Sequence, residues 1–290
     1  MTAARGDDGP ARSWRWLLRD TESRLGSAPE ARWMLERATG WEGAELWCHI
    51  DEPATLRAAV FVDRMVGRRT AGEPLQYVLG RWRFRRLDLL VDRRVLIPRP
   101  ETEVVAEVAV AELRRQGGRR PMVVDLGTGS GALGLSVADE VAGATVWCTD
   151  ASAEALAVAR ANLAGLGSRT APRVRLVQGS WWEALPAELR GNVDLAVSNP
   201  PYVAAGEVLP PEVADWEPVG ALRAGPTGLE AIETILAGAL DWLAPSGALA
   251  LEIAPAQAEA ALERAGAAGF ALAEVRPDLA GRPRVLLARR

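Results

Sequence analysis

The pattern of apolar and polar positions divides the chain into a helical segment and a longer segment of alternating strands and helices. From Ser13 to about Gly72, apolar residues such as Trp14, Leu17 and Leu25 recur at helical spacing. This predicts a small helical domain at residues 1–74, and because it carries no chemical motif we expect it to dock a partner. From 75 to 96 the pattern changes to short alternating runs, which predicts a β-hairpin linker.

The remaining residues, 97–290, alternate strand and helix. A helix is predicted to open at Glu101, and further helices at 132–140, 153–164 and 229–243. Strands are predicted at 122–126, 144–149, 174–177, 193–198, 248–253, 270–276 and 284–288. Apolar strands separated by helices are typical of a parallel sheet covered on both faces. The last two strands are joined by a short loop, so we predict an α/β fold with a doubly wound, seven-stranded sheet and a C-terminal antiparallel hairpin.

Composition indicates an ordinary globular protein. The chain has 290 residues, of which 49% are hydrophobic and 25% charged, enough for about two domains. No apolar run approaches the roughly 18 residues needed to span a membrane. The first dozen residues lack the apolar stretch of a secretory signal and are expected to form a polar tail. We therefore expect a cytoplasmic protein without a membrane partner.

The charged and metal-binding residue types exclude some functions. The net charge is −4, and all 34 basic residues are arginine, which argues against a stable nucleic-acid partner. Arginines alternate with aromatic residues at 81–86, which favours a hairpin strand with solvated arginines over a nucleic-acid tract. Cys48 and Cys148 are expected to be buried thiols, and His49 is the single histidine, so no metal site is predicted.

A glycine-rich turn follows the first predicted strand of the sheet. It reads Asp125-Leu-Gly-Thr-Gly-Ser-Gly131, and we call residues 127–131 the glycine loop. Glycines in such a turn allow positive φ angles and close approach of a ligand to the backbone. A purely structural turn and a dinucleotide site are the alternatives. The G-x-G-x-G spacing after an acid differs from the dinucleotide pattern.

Two further features favour S-adenosylmethionine as the ligand of the glycine loop. Asp150 closes the second strand about 20 residues later, where an acid can accept hydrogen bonds from ribose hydroxyls. Asp125 would help to orient a cationic cofactor, whereas it would repel a pyrophosphate. Trp181 and Trp182 follow the third strand, and we expect Trp181 to cover the adenine ring and Trp182 to lie in the core.

The motif Asn199-Pro-Pro-Tyr202 follows the strand predicted at 193–198, so Asn199 should emerge at the ligand-binding edge of the sheet. The Asn199 oxygen and the Pro200 carbonyl can each accept one N–H of a planar NH2 group and present its lone pair to a methyl donor. Tyr202 would pack on the flat face of that group. Alignment of this kind can lower the activation free energy by roughly 7–11 kcal/mol. The motif alone leaves both adenine N6 and a glutamine amide open as acceptors.

Several segments together resemble one family, the protein-glutamine methyltransferases of the HemK/PrmC type. These enzymes modify the glutamine of the Gly-Gly-Gln loop in class 1 release factors. The resemblance runs from about Arg69 to the C-terminus. Besides the glycine loop and the Asn199 motif, it rests on Gly72-Glu-Pro-Leu-Gln-Tyr-Val-Leu-Gly80, Leu96-Ile-Pro-Arg-Pro-Glu-Thr-Glu103, Leu251-Glu-Ile253 with Gln257, and Asp278-Leu-Ala-Gly-Arg282. The first two of these four segments are absent from adenine methyltransferases of nucleic acids.

The resemblance implies a methyltransferase sheet, S-adenosylmethionine as cofactor and class 1 release factors as protein substrate. We also expect a monomeric enzyme. The cofactor would be bound by Asp125, Gly127, Thr128, Gly129, Ser130, Gly131, Asp150, Trp181 and Asn199. The substrate would be bound by Asn199, Pro200, Pro201 and Tyr202, with Arg99 and Glu101 as further candidates, and Asn199, Pro200 and Tyr202 would be catalytic.

Two departures from the family and three alternatives stay open. Ala254 stands where the family has glycine, and a glycine-rich segment appears here as Ala224-Gly-Pro-Thr-Gly228. The alternatives are methylation of a ribosomal-protein glutamine, methylation of adenine N6 in nucleic acid, and a scaffold without activity. Adenine methylation predicts a strong basic face, which the net charge does not favour. A scaffold would be expected to have lost Asn199, Asp150 or the glycines.

Overall fold

The computed structural model describes residues 12–290, and the polar tail predicted at the N-terminus lies outside the described residues, apart from Arg12. The chain divides into two compact units, the first ending at Gly80 and the second running from Arg81 to Arg290. The predicted linker, residues 75–96, spans this boundary, and the predicted domain bounds stay a prediction.

The described part of the first unit is helical, as the periodicity predicts. Its helices are α1 (Trp14–Leu25), α2 (Ala28–Thr39), α3 (Ala44–Cys48), α4 (Leu56–Thr70) and α5 (Leu75–Leu79). The side chains of Ser13 and Ser27 cap the starts of α1 and α2, and left-handed glycines end both helices. The core between them includes Met34, Leu35 and Val66, all fully buried.

Two expectations for the first unit are wrong. The strand predicted from Leu75 is wrong, because residues 75–79 form one helical turn that ends at left-handed Gly80. The expected buried thiol at Cys48 is also wrong, since Cys48 is exposed, whereas Cys148 is buried as expected. His49 stacks on Trp41 with ring centroids 4.4 Å apart, which is a structural role.

The predicted hairpin exists over a shorter stretch, as β1 (Arg81–Phe84) paired antiparallel with β2 (Leu87–Leu90). Arg85 in its turn is bound by Glu140 instead of being solvated. The side-chain amide of Asn162 donates to the Leu90 carbonyl at 3.1 Å and to the Ser130 carbonyl at 2.8 Å. The hairpin is thereby attached to the glycine loop of its own unit.

The rest of the second unit alternates strands and helices. The strands are β3 (Met122–Leu126), β4 (Thr145–Asp150), β5 (Val174–Gln178), β6 (Val193–Ser198), β7 (Val203–Ala204), β8 (Arg223–Gly225), β9 (Leu243–Glu252), β10 (Leu272–Pro277) and β11 (Pro283–Arg289). The helices are α6 (Pro100–Gln116), α7 (Ala132–Glu140), α8 (Ala153–Ala164), α9 (Gly167–Thr170), α10 (Pro211–Ala214), α11 (Val219–Leu222), α12 (Glu230–Trp242) and α13 (Ala258–Ala267).

Within residues 12–290, seven strands form the main sheet in the order β10-β11-β9-β6-β3-β4-β5. The strands β9, β6, β3, β4 and β5 are mutually parallel, and β11 is antiparallel to β9 and β10. This confirms the predicted doubly wound sheet with a C-terminal antiparallel hairpin. Chain order reverses at β3, which is flanked by β4 and β6, so their carboxyl ends form the crevice in which α/β folds bind ligands.

The core on one side of the sheet consists of apolar side chains from the central strands and from α12 and α13. Val124, Leu249 and Leu251 on the strands and Ile232 and Ile235 on α12 are all fully buried. Continuous apolar strands of this type need cover on both faces. A rigid sheet therefore sets the positions of the loops at its carboxyl edge.

Candidate active site

A cavity of about 410 Å³ lies at the carboxyl ends of β3, β4 and β6. Its lining includes most of the residues predicted for the cofactor, together with Asn199 and Pro201. These predicted residues are Asp125, Gly127, Thr128, Gly129, Ser130, Asp150 and Trp181. The structure therefore brings the glycine loop and the Asn199 motif to one cavity. The predicted residues Gly131, Pro200, Tyr202, Arg99 and Glu101 are not in its lining.

The glycine loop has the backbone conformation that its sequence predicts. Gly129 has a φ of +56°, and a β-carbon built there would meet no atom within 4 Å, so the missing side chain leaves open space beside the loop. Gly131 has a φ of +89°, and a β-carbon there would lie 2.7 Å from Leu135. Any larger residue at these positions is strained, and at Gly131 it also clashes with α7.

Asp125 is buried beneath the glycine loop. One of its oxygens accepts hydrogen bonds from the Thr128 hydroxyl and from the Gly134 N–H, the latter at 2.9 Å. Burial raises the pKa of Asp125 from 3.8 to about 6. At neutral pH the carboxyl is mostly ionised, and because its surroundings solvate it poorly it favours a cation in the cavity.

Asp150 ends β4 and faces the same loop. Its two oxygens accept the Gly129 N–H at 2.8 Å and the Ser152 N–H at 2.9 Å. Burial raises the pKa of Asp150, and the two backbone hydrogen bonds oppose that rise. Each carboxylate oxygen has a further lone pair, so this group can accept hydroxyl donors from a ligand while it holds the loop.

The two neighbouring tryptophans have different environments. Trp181 lines the cavity and lies within 3.3 Å of the position of a β-carbon on Gly127. It has a φ of +43°, a conformation that bulky residues seldom adopt. Trp182 is buried, stacks near Trp242 and donates its ring N–H to the Ile235 carbonyl at 2.9 Å. The core position predicted for Trp182 is confirmed.

Asn199 follows β6 and is held by a chain of hydrogen bonds. Its side-chain NH2 donates to the Thr102 hydroxyl at 3.1 Å, and Thr102 donates to Glu252 at 2.6 Å. Tyr202 donates from its phenol to the other Glu252 oxygen at 3.3 Å. Burial raises the pKa of Glu252, while the Thr102 hydroxyl and the charge of Arg284 favour the ionised form.

Gln257 fixes the backbone that follows the Asn199 motif. Its NH2 donates to the Tyr202 carbonyl at 3.0 Å and to the Gly228 carbonyl at 2.9 Å, and its oxygen accepts the Ala254 N–H at 3.1 Å. Ala254 is one of the two departures from the family pattern, and Gly228 ends the segment that contains the other. Gln257 contacts both residues through their backbone atoms, so the Ala254 departure leaves its contact in place.

The two further substrate candidates are engaged in ion pairs. Arg99 pairs with Glu217, whose side chain is 1% exposed. Glu101 pairs with Arg282 at 3.1 Å. Neither side chain is among those that line the cavity. A direct role of these two residues in substrate binding stays a prediction.

Sequence reasoning missed the roles of Thr102, Glu252 and Glu217. The sequence pattern places Thr102 in a helix start and Glu252 in a family segment, and it assigns a contact to neither. The available signal was the lone carboxylate of Glu252 at the end of an apolar strand, because a buried acid requires partners. For residues 12–290 we find neither a cluster of side chains suited to a metal nor a helix long and apolar enough to cross a membrane.

Comparisons with known proteins identify the family of the chain. The profile of the PrmC N-terminal domain matches residues 16–80, and that of the Methyltransferase small domain matches residues 102–214. A release factor glutamine methyltransferase of Burkholderia pseudomallei is 42% identical over 87% of this chain and 88% of its own length. The enzyme of the same name from Bordetella pertussis is also 42% identical, over 88% of this chain and 92% of its own length.

Among solved structures, the hMettl16 catalytic domain in complex with MAT2A 3'UTR hairpin 6 superposes with a TM-score of 0.52. It is 15% identical and covers 80% of each chain, so this likeness concerns the fold alone. The sequence relatives decide the family, because their identity extends over both units. The chain belongs to the family of release factor glutamine methyltransferases.

Proposed function

We propose that this protein transfers a methyl group from S-adenosylmethionine to the side-chain amide nitrogen of the glutamine in the Gly-Gly-Gln loop of class 1 peptide-chain release factors. The observation that carries the proposal is that Asn199 and the glycine loop line one cavity. Family membership favours a glutamine over adenine as the acceptor, since the relatives are named for that reaction.

The cavity suits a cationic cofactor better than a phosphate-containing one. Two carboxylates, Asp125 and Asp150, line it. Within residues 12–290, Arg94 is the one cationic side chain in that lining, and it is paired with Asp92 at 2.6 Å. When bound, S-adenosylmethionine supplies a methyl group activated by a positively charged sulfur. Asp150 would accept its ribose hydroxyls, and Trp181 would lie against its adenine ring.

The acceptor amide requires alignment more than activation by a base. Its nitrogen is a poor nucleophile because its lone pair is delocalised into the carbonyl. The Asn199 side-chain oxygen and the Pro200 carbonyl each accept one N–H, which holds the NH2 group and favours a pyramidal nitrogen. Proline restricts the φ angle at positions 200 and 201, so this pair of acceptors is preorganised.

Tyr202 contributes as a neutral aromatic side chain. Burial and the neighbouring Glu252 carboxylate raise the pKa of the Tyr202 phenol well above its ordinary value. The phenol therefore keeps its proton at physiological pH and does not act as a base. The amide needs no base before transfer, because its N–H becomes acidic only once the nitrogen has gained the methyl group.

The helical first unit would grip the release factor. The PrmC N-terminal profile matches residues 16–80, which include α2 to α5 and most of α1, and this supports a role shared across the family. The unit carries no chemical motif in its sequence, consistent with docking. We propose that the enzyme acts as a monomer in the cytoplasm, where release factors work.

Transfer of label from methyl-labelled S-adenosylmethionine tests this function. Purified unmethylated release factors, ribosomal proteins and mixed nucleic acid are offered in parallel, with Asn199→Ala as the inactive control. We expect label on the Gly-Gly-Gln glutamine, located by peptide mass spectrometry and lost with Asn199→Ala. Label on ribosomal protein or nucleic acid alone would overturn the substrate, and cofactor binding without any transfer would favour the scaffold.

A further inference from the structure

We propose that Thr102 and Glu252 are positioning residues that orient the Asn199 side-chain amide so that its oxygen is the atom offered to the acceptor. The inference rests on the proposed function, which requires an acceptor oxygen at Asn199. It adds two residues, from α6 and from β9, to the machinery that the Asn199 motif alone would suggest.

The direction of the hydrogen bonds carries the argument. An asparagine NH2 group can only donate, so Thr102 receives its hydrogen bond on oxygen, at 3.1 Å. The single Thr102 proton must then point elsewhere, and it goes to Glu252 at 2.6 Å. The Tyr202 phenol donates to the other Glu252 oxygen at 3.3 Å, so both oxygens of this carboxyl group act as acceptors. The chain from Asn199 through Thr102 to Glu252 therefore has one direction, and it turns the Asn199 oxygen away from Thr102.

Burial of Thr102 and Glu252 makes the reversed arrangement of these hydrogen bonds costly. Glu252 is 0% exposed, and Thr102 is 3% exposed at the edge of the cavity, so little water reaches the hydrogen bond between them. Hydrogen bonds in such surroundings are stronger than in water, and an unpaired polar atom is costly. If the amide of Asn199 turned over, its oxygen would face the Thr102 oxygen, and its NH2 would face the NH2 of the acceptor.

The fold fixes all three residues independently. Thr102 lies in the first turn of α6, Asn199 directly follows β6, and Glu252 is the last residue of β9. Strands β6 and β9 are paired, with Ser198 opposite Leu251. The same Glu252 carboxylate also accepts the Tyr202 phenol. One buried acid thus holds both ends of the Asn199 motif.

Matched variants of Thr102 test the proposal. Thr102→Val removes the hydroxyl at nearly constant volume, and Thr102→Ser keeps it. We expect Thr102→Val to lower kcat about 10- to 100-fold while the KM for S-adenosylmethionine changes less than about threefold, because one charge-linked hydrogen bond is lost. Thr102→Ser should stay within about threefold of the wild type. Thr21→Val removes a buried hydroxyl that has no partner among the described residues and should leave kcat unchanged.

Two further variants separate positioning from general damage. Glu252→Gln introduces a donor into the chain and should also lower kcat while the cofactor still binds. In a Glu252→Gln background, Thr102→Val should cause a much smaller loss of kcat than in the wild type, because the two residues act on Asn199 through one chain. Fully additive losses of kcat in the double variant, or a Thr102→Val enzyme as fast as the wild type, would overturn the proposal.

A readout without catalysis keeps the proposal separate from the proposed function. The Asn199 side-chain NH2 gives a nitrogen–proton NMR signal pair, assigned by its loss in Asn199→Ala. We expect slow exchange of these protons with water in the wild type and in Thr102→Ser, and exchange at least about tenfold faster in Thr102→Val. Absence of glutamine methylation by the wild type would reject the proposed function. Unchanged exchange in Thr102→Val would reject the positioning role instead.

Discussion

The Arg99 guanidinium and the Glu217 carboxylate form an ion pair across 118 residues of chain. Glu217 also accepts the Ile97 N–H at 3.0 Å, and its side chain is 1% exposed. Pro218, which follows directly, lines the cavity, as do Gly220 and Ala221. This ion pair therefore fastens one wall of the cavity to the segment that precedes α6.

We predict that Arg99→Ala destabilises the protein and weakens cofactor binding. Removal of the guanidinium leaves the buried Glu217 carboxylate without its cation, which lowers the free energy of unfolding by about 3–5 kcal/mol. If displacement of the cavity wall weakens the binding free energy of S-adenosylmethionine by about 1.4 kcal/mol, the Kd rises about tenfold. Urea unfolding measures the first effect and calorimetric titration the second.

The control for Arg99 is Arg276→Ala. Arg276 pairs with Glu274 at 2.9 Å, and both side chains are substantially exposed. Exposed ion pairs of this kind contribute at most about 1 kcal/mol to the free energy of unfolding. Neither stability nor cofactor affinity should therefore change much in Arg276→Ala. Equal effects of the two substitutions would show that Arg99 does not hold the cavity wall.

The two adjacent tryptophans should respond differently to alanine. Trp181→Ala should lower cofactor affinity about tenfold with little change in stability, because the ring lines the cavity. Trp182→Ala should lower the free energy of unfolding by about 3–5 kcal/mol, since the ring is buried against α12. Cofactor titration and urea unfolding on both variants check this. If Trp181→Ala lowered mainly the stability and Trp182→Ala mainly the cofactor affinity, the assignment of the two tryptophans would be wrong.

The sequence predicts the sheet well, because its strands are apolar runs bounded by clear turn signals. The strands predicted at 122–126 and 193–198 have the observed bounds, and the predicted closing hairpin pairs as expected. Asn199 and the glycine loop could be expected to converge, since parallel strands end at one edge. The helical turn at 75–79 was missed because short apolar runs have no decisive periodicity.

The hydrogen-bond network behind Asn199 could not be predicted in the same way. Thr102 lies 97 residues from Asn199 and 150 from Glu252 in the chain. Their contacts depend on how closely α6 packs against the sheet, which pattern and spacing do not determine. Arg99 illustrates the same difficulty, because its partner Glu217 lies in a loop without regular periodicity.

Gln257→Glu should disrupt the backbone behind the Asn199 motif. The Gln257 NH2 donates to the carbonyls of Tyr202 and Gly228, and a carboxylate would meet both of them as an anion. Two unsatisfied carbonyls cost about 2–4 kcal/mol in total. We expect lower stability and lower kcat, measured by urea unfolding and label transfer. Unchanged cofactor affinity is expected, because Gln257 is not in the cavity lining.

Gly228→Ala tests the same contact between Gly228, Gln257 and the Tyr202 carbonyl. Gly228 has a φ of +81°, and a β-carbon there would lie 2.6 Å from the Tyr202 carbonyl oxygen. The added methyl must push Tyr202 away, so kcat should fall as it does in Gln257→Glu. Gly191→Ala is the matched control, with a φ of +71° and no atom within 4 Å of its β-carbon position. If both glycine variants behave alike, backbone strain accounts for the loss.

The buried Asp125 carboxyl makes stability depend on pH. Its pKa is raised from 3.8 to about 6 by burial. Below about pH 4 it is protonated in both the folded and the unfolded state. Between about pH 4 and 6 the unfolded chain ionises while the folded protein keeps the proton, so stability falls as pH rises. Above about pH 6 the stability lost through the buried Asp125 carboxylate is constant, at about 3 kcal/mol.

Asp125→Asn should therefore become more stable than the wild type as the pH rises. The asparagine oxygen can still accept from Thr128 and Gly134, and the side chain carries no charge to bury. Urea unfolding without cofactor, at intervals from pH 4 to 8, should show a stability difference that grows up to about pH 6 and then levels off. A difference independent of pH would contradict the raised pKa. Thr128→Val, which removes a donor to the ionised carboxylate, should move the same transition to higher pH.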